Sequence, residues 1–198
     1  MEKVDFVFQS ATNGGVRDLD KYIEKMLSTR MIYKGKIINL RIDTVTLPDG
    51  GTGTREIVEY AGAVAVVPVN EKDELLLVRQ YRYAVKKALL EIPAGKIEPG
   101  EDPAECARRE LLEETGYNAE KLNNVIRFYS TPGFTNEEIH VFLATGLTLQ
   151  KQNLDDDEFI DVETVPYETA LEMIRTGEIC DAKTVAGILA VHNLKDII

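Results

Sequence analysis

Between Gly95 and Tyr117 the chain reads GKIEPGEDPAECARRELLEETGY, in which Glu110, Glu113 and Glu114 stand at i, i+3 and i+4. On an α-helix that spacing puts all three carboxylates on one face. Like charges so placed repel, each pair costing about 0.2–0.5 kcal/mol, and these sit near the helix C-terminus, where the macrodipole disfavours negative charge. A hard divalent cation relieves the repulsion, and an oxygen-only ligand set favours Mg2+ or Mn2+ over zinc. Carboxylate-held magnesium bridges phosphate oxygens, neutralises charge on a diphosphate and helps to deprotonate a water. The alternative for such a face is plain solvation. Arg109 cannot ligate a cation; it is expected to pair with Glu101 or Glu105 and to hold the carboxylates in place.

The element that must carry these groups is legible around them. Asp102 followed by Pro103 reads as an N-cap and first helical residue, with Glu105 where a capping-box partner stands, and Gly116 reads as the residue just past the helix end. The spacing predicts one helix over 103–115. Ala104, Ala107, the stem of Arg108, Leu111 and Thr115 form an adjoining stripe that would pack onto a sheet. Cys106, within the helix, reads as a small packed thiol.

The stretch fits the pattern G-x5-E-x7-R-E-U-x-E-E-x-G-U, where U is a bulky aliphatic residue. Gly95, Glu101, Arg109, Glu110, Leu111, Glu113, Glu114 and Gly116 are in register, and aromatic Tyr117 is the one departure. This resembles the Nudix box, and the chain is similar to the Nudix hydrolases. The resemblance implies hydrolysis of a nucleoside diphosphate linked to another group, with Mg2+ as cofactor and Mn2+ able to substitute. It implies Glu110 and Glu114 as direct metal ligands, Glu113 as a ligand or water-mediated partner, and the Ala94 carbonyl as a further ligand. Glu110, Glu113, Glu114, Glu137 and Arg109 make up the expected catalytic set.

A narrower likeness lies outside the box. Pro132 stands sixteen residues after Gly116, within Ser130-Thr131-Pro132-Gly133-Phe134-Thr135-Asn136-Glu137. Together with Glu91-Ile92-Pro93-Ala94-Gly95, Val78-Arg79-Gln80-Tyr81-Arg82, Arg55-Glu56-Ile57-Val58 and Asp181-Ala182-Lys183-Thr184, it resembles the ADP-ribose pyrophosphatase subgroup over residues 31–197. That likeness implies that Arg55 and Glu56 contact the nucleotide or terminal ribose, across a dimer interface. It implies that Arg82 binds phosphate, that Thr131 and Pro132 line the substrate, and that Glu137 orients or deprotonates the water. Read without it, Arg79 and Arg82 are strand-surface charges and Glu137 is an exposed loop acid. The favoured substrate is ADP-ribose or a related ADP-sugar, cleaved to AMP and a sugar phosphate. Another nucleotide sugar or a damaged nucleoside triphosphate is the alternative. A non-catalytic nucleotide sensor would be expected to have lost box carboxylates, and every one is present.

The remaining chain must supply a scaffold. At 198 residues, 44% of them hydrophobic, it suits one compact domain with a short appended subdomain. The N-terminal MEKVDFVFQSATNGG has no apolar core of signal-peptide length, no apolar run is long enough for a membrane span, and two cysteines are too few for a disulfide framework; these point to a reducing cytoplasm. A net charge of −11 argues against long nucleic acid as a ligand. Residues 18–28 read as a short helix with Tyr22, Ile23, Met26 and Leu27 on its apolar side, and Asp155 to Glu158 as a solvated acidic loop. Alternation predicts a hairpin of 36–47 and 54–60, then strands over 62–69, 74–82, 122–130, 138–149 and 158–164. Helices are expected over 167–176, stopped by Gly177, and 182–195, capped by Asp181. The sum is an α/β/α sandwich with a mixed sheet, the Nudix fold: residues 1–60 as an N-terminal segment and antiparallel β-subdomain, residues 61–198 as the hydrolase domain. An isolated ribbon is marginal alone, so a homodimer packed through the hairpin is expected.

Overall fold

The computed structural model describes residues 20–152 and 159–194. After a 3-10 turn at Asp20–Tyr22, the strands β1 (Lys25–Lys34), β2 (Asn39–Thr46) and β3 (Thr52–Glu59) form an antiparallel sheet in the order β1-β2-β3. The predicted hairpin is β2 and β3, in register from Asn39↔Glu59 to Thr46↔Thr52. Over the described part of the span, residues 20–28, the helix expected over 18–28 is not there. From Lys25 the chain is instead the outer strand of this sheet, paired with β2 from Lys25↔Thr46 to Lys34↔Asn39 through two irregularities. Helical spacing of four apolar residues is a weak prior, and pairing with a strand that follows in sequence overrides it. Residues 1–19, with the N-terminal segment, and the acidic run at 155–158 lie outside the described residues.

β4 (Ala63–Pro68), β5 (Glu74–Arg82), β6 (Lys87–Glu91) and β7 (Ala94–Lys96) lead to α1 (Pro103–Thr115), followed by β8 (Tyr117–Tyr129), β9 (Glu138–Leu149), β10 (Ile160–Pro166), α2 (Tyr167–Thr176) and α3 (Ala182–Leu194). One sheet runs β7-β4-β9-β8 and another β10-β5-β6. Among the described strands of the larger sheet β4 and β9 pair in parallel and the other neighbours antiparallel, so that sheet is mixed as expected.

β4 is buried at every position, and its pleat divides the core. Val64 and Val66 face one cluster with Cys106, Ala107, Leu111, Phe142 and Ala144, which seats α1 on the sheet. Ala63, Ala65 and Val67 face a second cluster that includes Leu77, Ile92, Val141, Tyr167 and Ile188, which seats α2, α3 and the β5 sheet on the other side. A run of six buried apolar residues is what a central strand covered on both faces requires. Among the described residues no helix is long and apolar enough to cross a membrane.

Candidate active site

α1 begins and ends where its sequence dictates. The Asp102 side chain accepts from the backbone N–H of Ala104 at 2.9 Å and of Glu105 at 3.3 Å. Gly116 is left-handed at φ 76°, and its N–H closes the last turn on the Leu112 carbonyl at 2.8 Å. Fixed ends fix the phase of the helix. The apolar stripe turns to the sheet, but Glu110 and Glu114 are buried too, 9% and 3% exposed.

What buries them is β7. The Glu114 carboxylate accepts from the Ala94 N–H at 3.0 Å, and the Glu110 carboxylate lies so close over Gly95 that a Cβ there would stand 1.9–2.3 Å from its atoms. Gly95 is therefore required by close approach rather than by an unusual backbone angle. Gly95→Ala is expected to push the Glu110 carboxylate off its position while the fold survives, since what must move is the end of a flexible side chain. A displacement of that kind costs about 100-fold in rate. Turnover of the variant beside its thermal melt checks this; wild-type turnover would contradict it.

Arg109 organises the exposed side of the same face. Its Nε and Nη2 bond the Glu101 carboxylate at 2.9 and 3.1 Å, while Nη1 bonds Glu110 at 2.7 Å and Glu113 at 2.9 Å. Of the two partners expected for it, Glu101 is the one it takes. The Arg109 hydrogen bond first, and the Glu98 N–H second, hold the Glu101 carboxyl at about 2. Because the folded value is depressed, the stability this pair contributes is present above the ordinary carboxylate range and is lost as pH falls toward 2. Cys106 is fully buried, and burial first of all pushes its thiol up to about 12, which makes it the packed, inert sulfur expected.

The loop between β8 and β9 carries Glu137. It is tied at its base by the Ser130 N–H to the Glu137 carbonyl at 3.1 Å, and the Glu137 N–H reaches the Thr135 hydroxyl at 3.2 Å. Thr131 and Pro132 are exposed on its outer turn. The loop is also stitched to the end of β3: the Val58 N–H donates to the Phe134 carbonyl at 2.8 Å, and the Tyr60 N–H to Asn136 Oδ1 at 2.9 Å. Burial raises the Tyr60 phenol pKa, and the charges of Glu137 and Glu110 raise it further against the opposing charge of Arg82. Tyr60 thus stands in the fields of the loop acid, the helix face and β5 together. Sequence reading missed it; the signal was an aromatic residue closing the hairpin strand two positions before Gly62.

The remaining expected residues divide. Arg82, on β5, is no loose surface charge: Nε and Nη2 pair with both oxygens of buried Glu91 at 2.8 and 2.7 Å, and it lies in the field of Glu114. Arg79 pairs with Glu163 across β5 and β10, which fits strand-surface charge. Arg55 pairs with Glu24 in the N-terminal sheet, Nε at 2.8 Å, and Glu56 is exposed beside it. Among the described residues no hydrogen bond or ion pair joins Arg55 or Glu56 to α1 or to the Glu137 loop.

Among the described residues no three His, Cys, Asp or Glu side chains converge as a ready-made metal cage. Arg109 spans Glu110 and Glu113, and Glu114 is turned to the Ala94 N–H. The donor set nevertheless fits a hard cation. Glu110 and Glu114 bring carboxylate oxygens against one short backbone segment, Ala94–Gly95, and Arg109 holds the third carboxylate beside them.

Comparison with known proteins sets this geometry in a family. The description "NUDIX domain" matches residues 59–186, well over half the chain. The chain belongs to the Nudix family. A second description, "Nucleoside diphosphate sugar hydrolase N-terminal domain", matches residues 24–58, so the likeness reaches further toward the N-terminus than residue 31. This Nudix hydrolase is 45% identical over 167 residues to an ADP-ribose pyrophosphatase of Bacillus subtilis (strain 168), covering 83% of this chain and 90% of the relative. It is 44% identical to a methanol dehydrogenase activator of Bacillus methanolicus, with the same two coverages. It is 37% identical to an ADP-ribose pyrophosphatase of Mycobacterium tuberculosis, over 84% of this chain and 82% of that one. A crystal structure described as an ADP compounds hydrolase superposes with a TM-score of 0.79 at 22% identity, covering 88% of this chain and 95% of that one, which supports the fold. Enzymes of this family generally use a divalent metal.

Proposed function

We propose that this Nudix hydrolase cleaves the diphosphate bond of ADP-ribose or a related ADP-sugar, releasing AMP and a sugar phosphate, with Mg2+ as the cofactor and Mn2+ able to replace it. The observation that carries this reading is the 45% identity, over nearly the whole hydrolase, to a relative named for ADP-ribose. Relatives at 36% identity in Escherichia coli are named for GDP-mannose, so the sugar-linked diphosphate is the shared element and the nucleotide the variable one.

Glu110, Glu114 and the Ala94 carbonyl would hold the metal, with Glu113 as a ligand or through water; when bound, it supplies charge neutralisation on the diphosphate and acidifies water. The chain's own groups do the rest. Arg109 fixes the orientation of Glu110 and Glu113 through bonds it also anchors on Glu101. Arg82 binds phosphate with a guanidinium already aligned by Glu91, since a planar fork matches phosphoryl oxygens in pairs. Glu137 takes the proton of the attacking water, while Thr131 and Pro132 on the same loop line the substrate. Residues 1–60 act as the subdomain that supplies Arg55 and Glu56 to the nucleotide of a partner's site, and 61–198 as the hydrolase domain. With two free cysteines, the protein suits a reducing cytoplasm.

A panel of ADP-ribose, other nucleoside diphosphate sugars, dinucleotides and triphosphates with Mg2+, its products separated chromatographically, tests the substrate. Fastest turnover of an ADP-sugar to AMP is expected; turnover of triphosphates alone would overturn it.

The assembly reading, a homodimer, rests on the N-terminal sheet. β1 is exposed along all ten residues, with Met26, Leu27, Met31, Ile32 and Tyr33 among them, and nearby Ile37 is 65% exposed. An exposed edge strand this apolar pairs or aggregates unless a partner covers it. Sedimentation at micromolar concentration is expected to give a dimer, and a monomer there would contradict it.

A further inference from the structure

Glu91 ends β6, one residue before the Ile92–Pro93–Ala94 passage into the site, and its side chain is 1% exposed. A carboxylate removed from water to that degree needs opposite charge and hydrogen bonds around it. It receives both from two directions. Arg82 pairs with it through Nε and Nη2, and Lys183, near the start of α3, donates to it from Nζ. Lys183 also bonds Asp181 at 2.9 Å. Asp181 in turn caps α3, accepting from the Thr184 N–H at 3.0 Å and the Thr184 hydroxyl at 2.6 Å, and Thr184 Oγ1 accepts from the Ile92 N–H at 3.0 Å. The bonds close a ring that runs from β5 through β6 to α3 and back to the backbone entering β7.

The ring carries two cations and two anions. Among the described residues Arg82 Nη1 makes no hydrogen bond, and the guanidinium lies in the field of Glu114 on the α1 face. If Lys183 lost its charge, Arg82 alone would have to neutralise Glu91, with Asp181 uncompensated close by. Its positive field toward an incoming anion would fall, and the carboxylate that aligns it would lose one of its two anchors. We propose that Lys183 is a positioning residue for phosphate recognition, acting through Glu91 on Arg82. This rests on the reading of Arg82 as a phosphate ligand. In the sequence the Asp181–Thr184 stretch carries a helix cap at Asp181 and no role for Lys183; the ring supplies one, and makes the C-terminal helix part of how the diphosphate is held.

Steady-state kinetics of Arg82→Ala, Lys183→Met, the double variant and Lys183→Arg, with ADP-ribose and Mg2+, test it. Lys183→Met is expected to raise KM about tenfold with kcat within about threefold of wild type, and Lys183→Arg to restore KM. In the Arg82→Ala background Lys183→Met should change KM by less than about twofold, because the path it acts through is already gone. Lys183→Gln, which keeps a donor toward Glu91 without the charge, carries the same expectation should the methionine fail to fold. Independent, multiplying effects of the two substitutions would overturn the coupling. So would a normal KM for Lys183→Met beside a raised one for Arg82→Ala. An unchanged KM for Arg82→Ala would instead remove the phosphate reading beneath it.

Discussion

Glu114→Gln is expected to lower turnover with Mg2+ by at least about 100-fold, the upper end of what losing a partner one shell outside a metal costs. It should do so without unfolding the protein. Glu114 is buried, and its carboxylate accepts from the Ala94 N–H at 3.0 Å. A glutamine keeps a carbonyl oxygen that can accept the same bond, and it takes one negative charge off a face where three repel. The melting temperature should therefore hold while hydrolysis fails. Near-normal turnover by this variant would remove Glu114 from the proposed ligand set.

Glu137→Gln is expected to separate chemistry from binding. Glu137 stands on a loop tied to β3 and to the base of β8, so the amide should sit where the acid did. Loss of a general base typically costs about 10²–10⁴-fold, and here the loss should appear in kcat with KM little changed. Arg82→Ala should show the opposite division. A wild-type kcat for Glu137→Gln would leave that residue a half-buried loop acid with no part in the chemistry and direct the search for the base to Glu113.

The helix carrying the carboxylates was readable in full, because each of its limits is local chemistry: an aspartate cap, a proline at the first turn, a glycine that accepts φ 76°. β4 was readable as a strand for the same kind of reason, six apolar residues between turn signals. β1 was not. Its identity depends on β2, which follows it in sequence, and its own apolar spacing suits a helix equally well. The site divides in the same way. Spacing within one helix brought Glu110, Glu113 and Glu114 together, yet nothing in their spacing tells that Glu110 would lie against Gly95 or that Arg109 would span Glu110, Glu113 and Glu101. The Glu91–Lys183 ring was illegible for a plainer reason. Glu91 and Lys183 are 92 positions apart, and only the closed fold makes them neighbours.

Hydrolysis of ADP-ribose in water enriched with 18O tests the central claim most directly, with the products analysed by mass spectrometry. Attack of water on phosphorus at the α1 face predicts that each turnover puts one labelled oxygen into the phosphate of AMP or of the sugar phosphate. It also predicts that chelating the divalent metal abolishes incorporation. Label on a ribose carbon, or turnover that survives chelation, would contradict it.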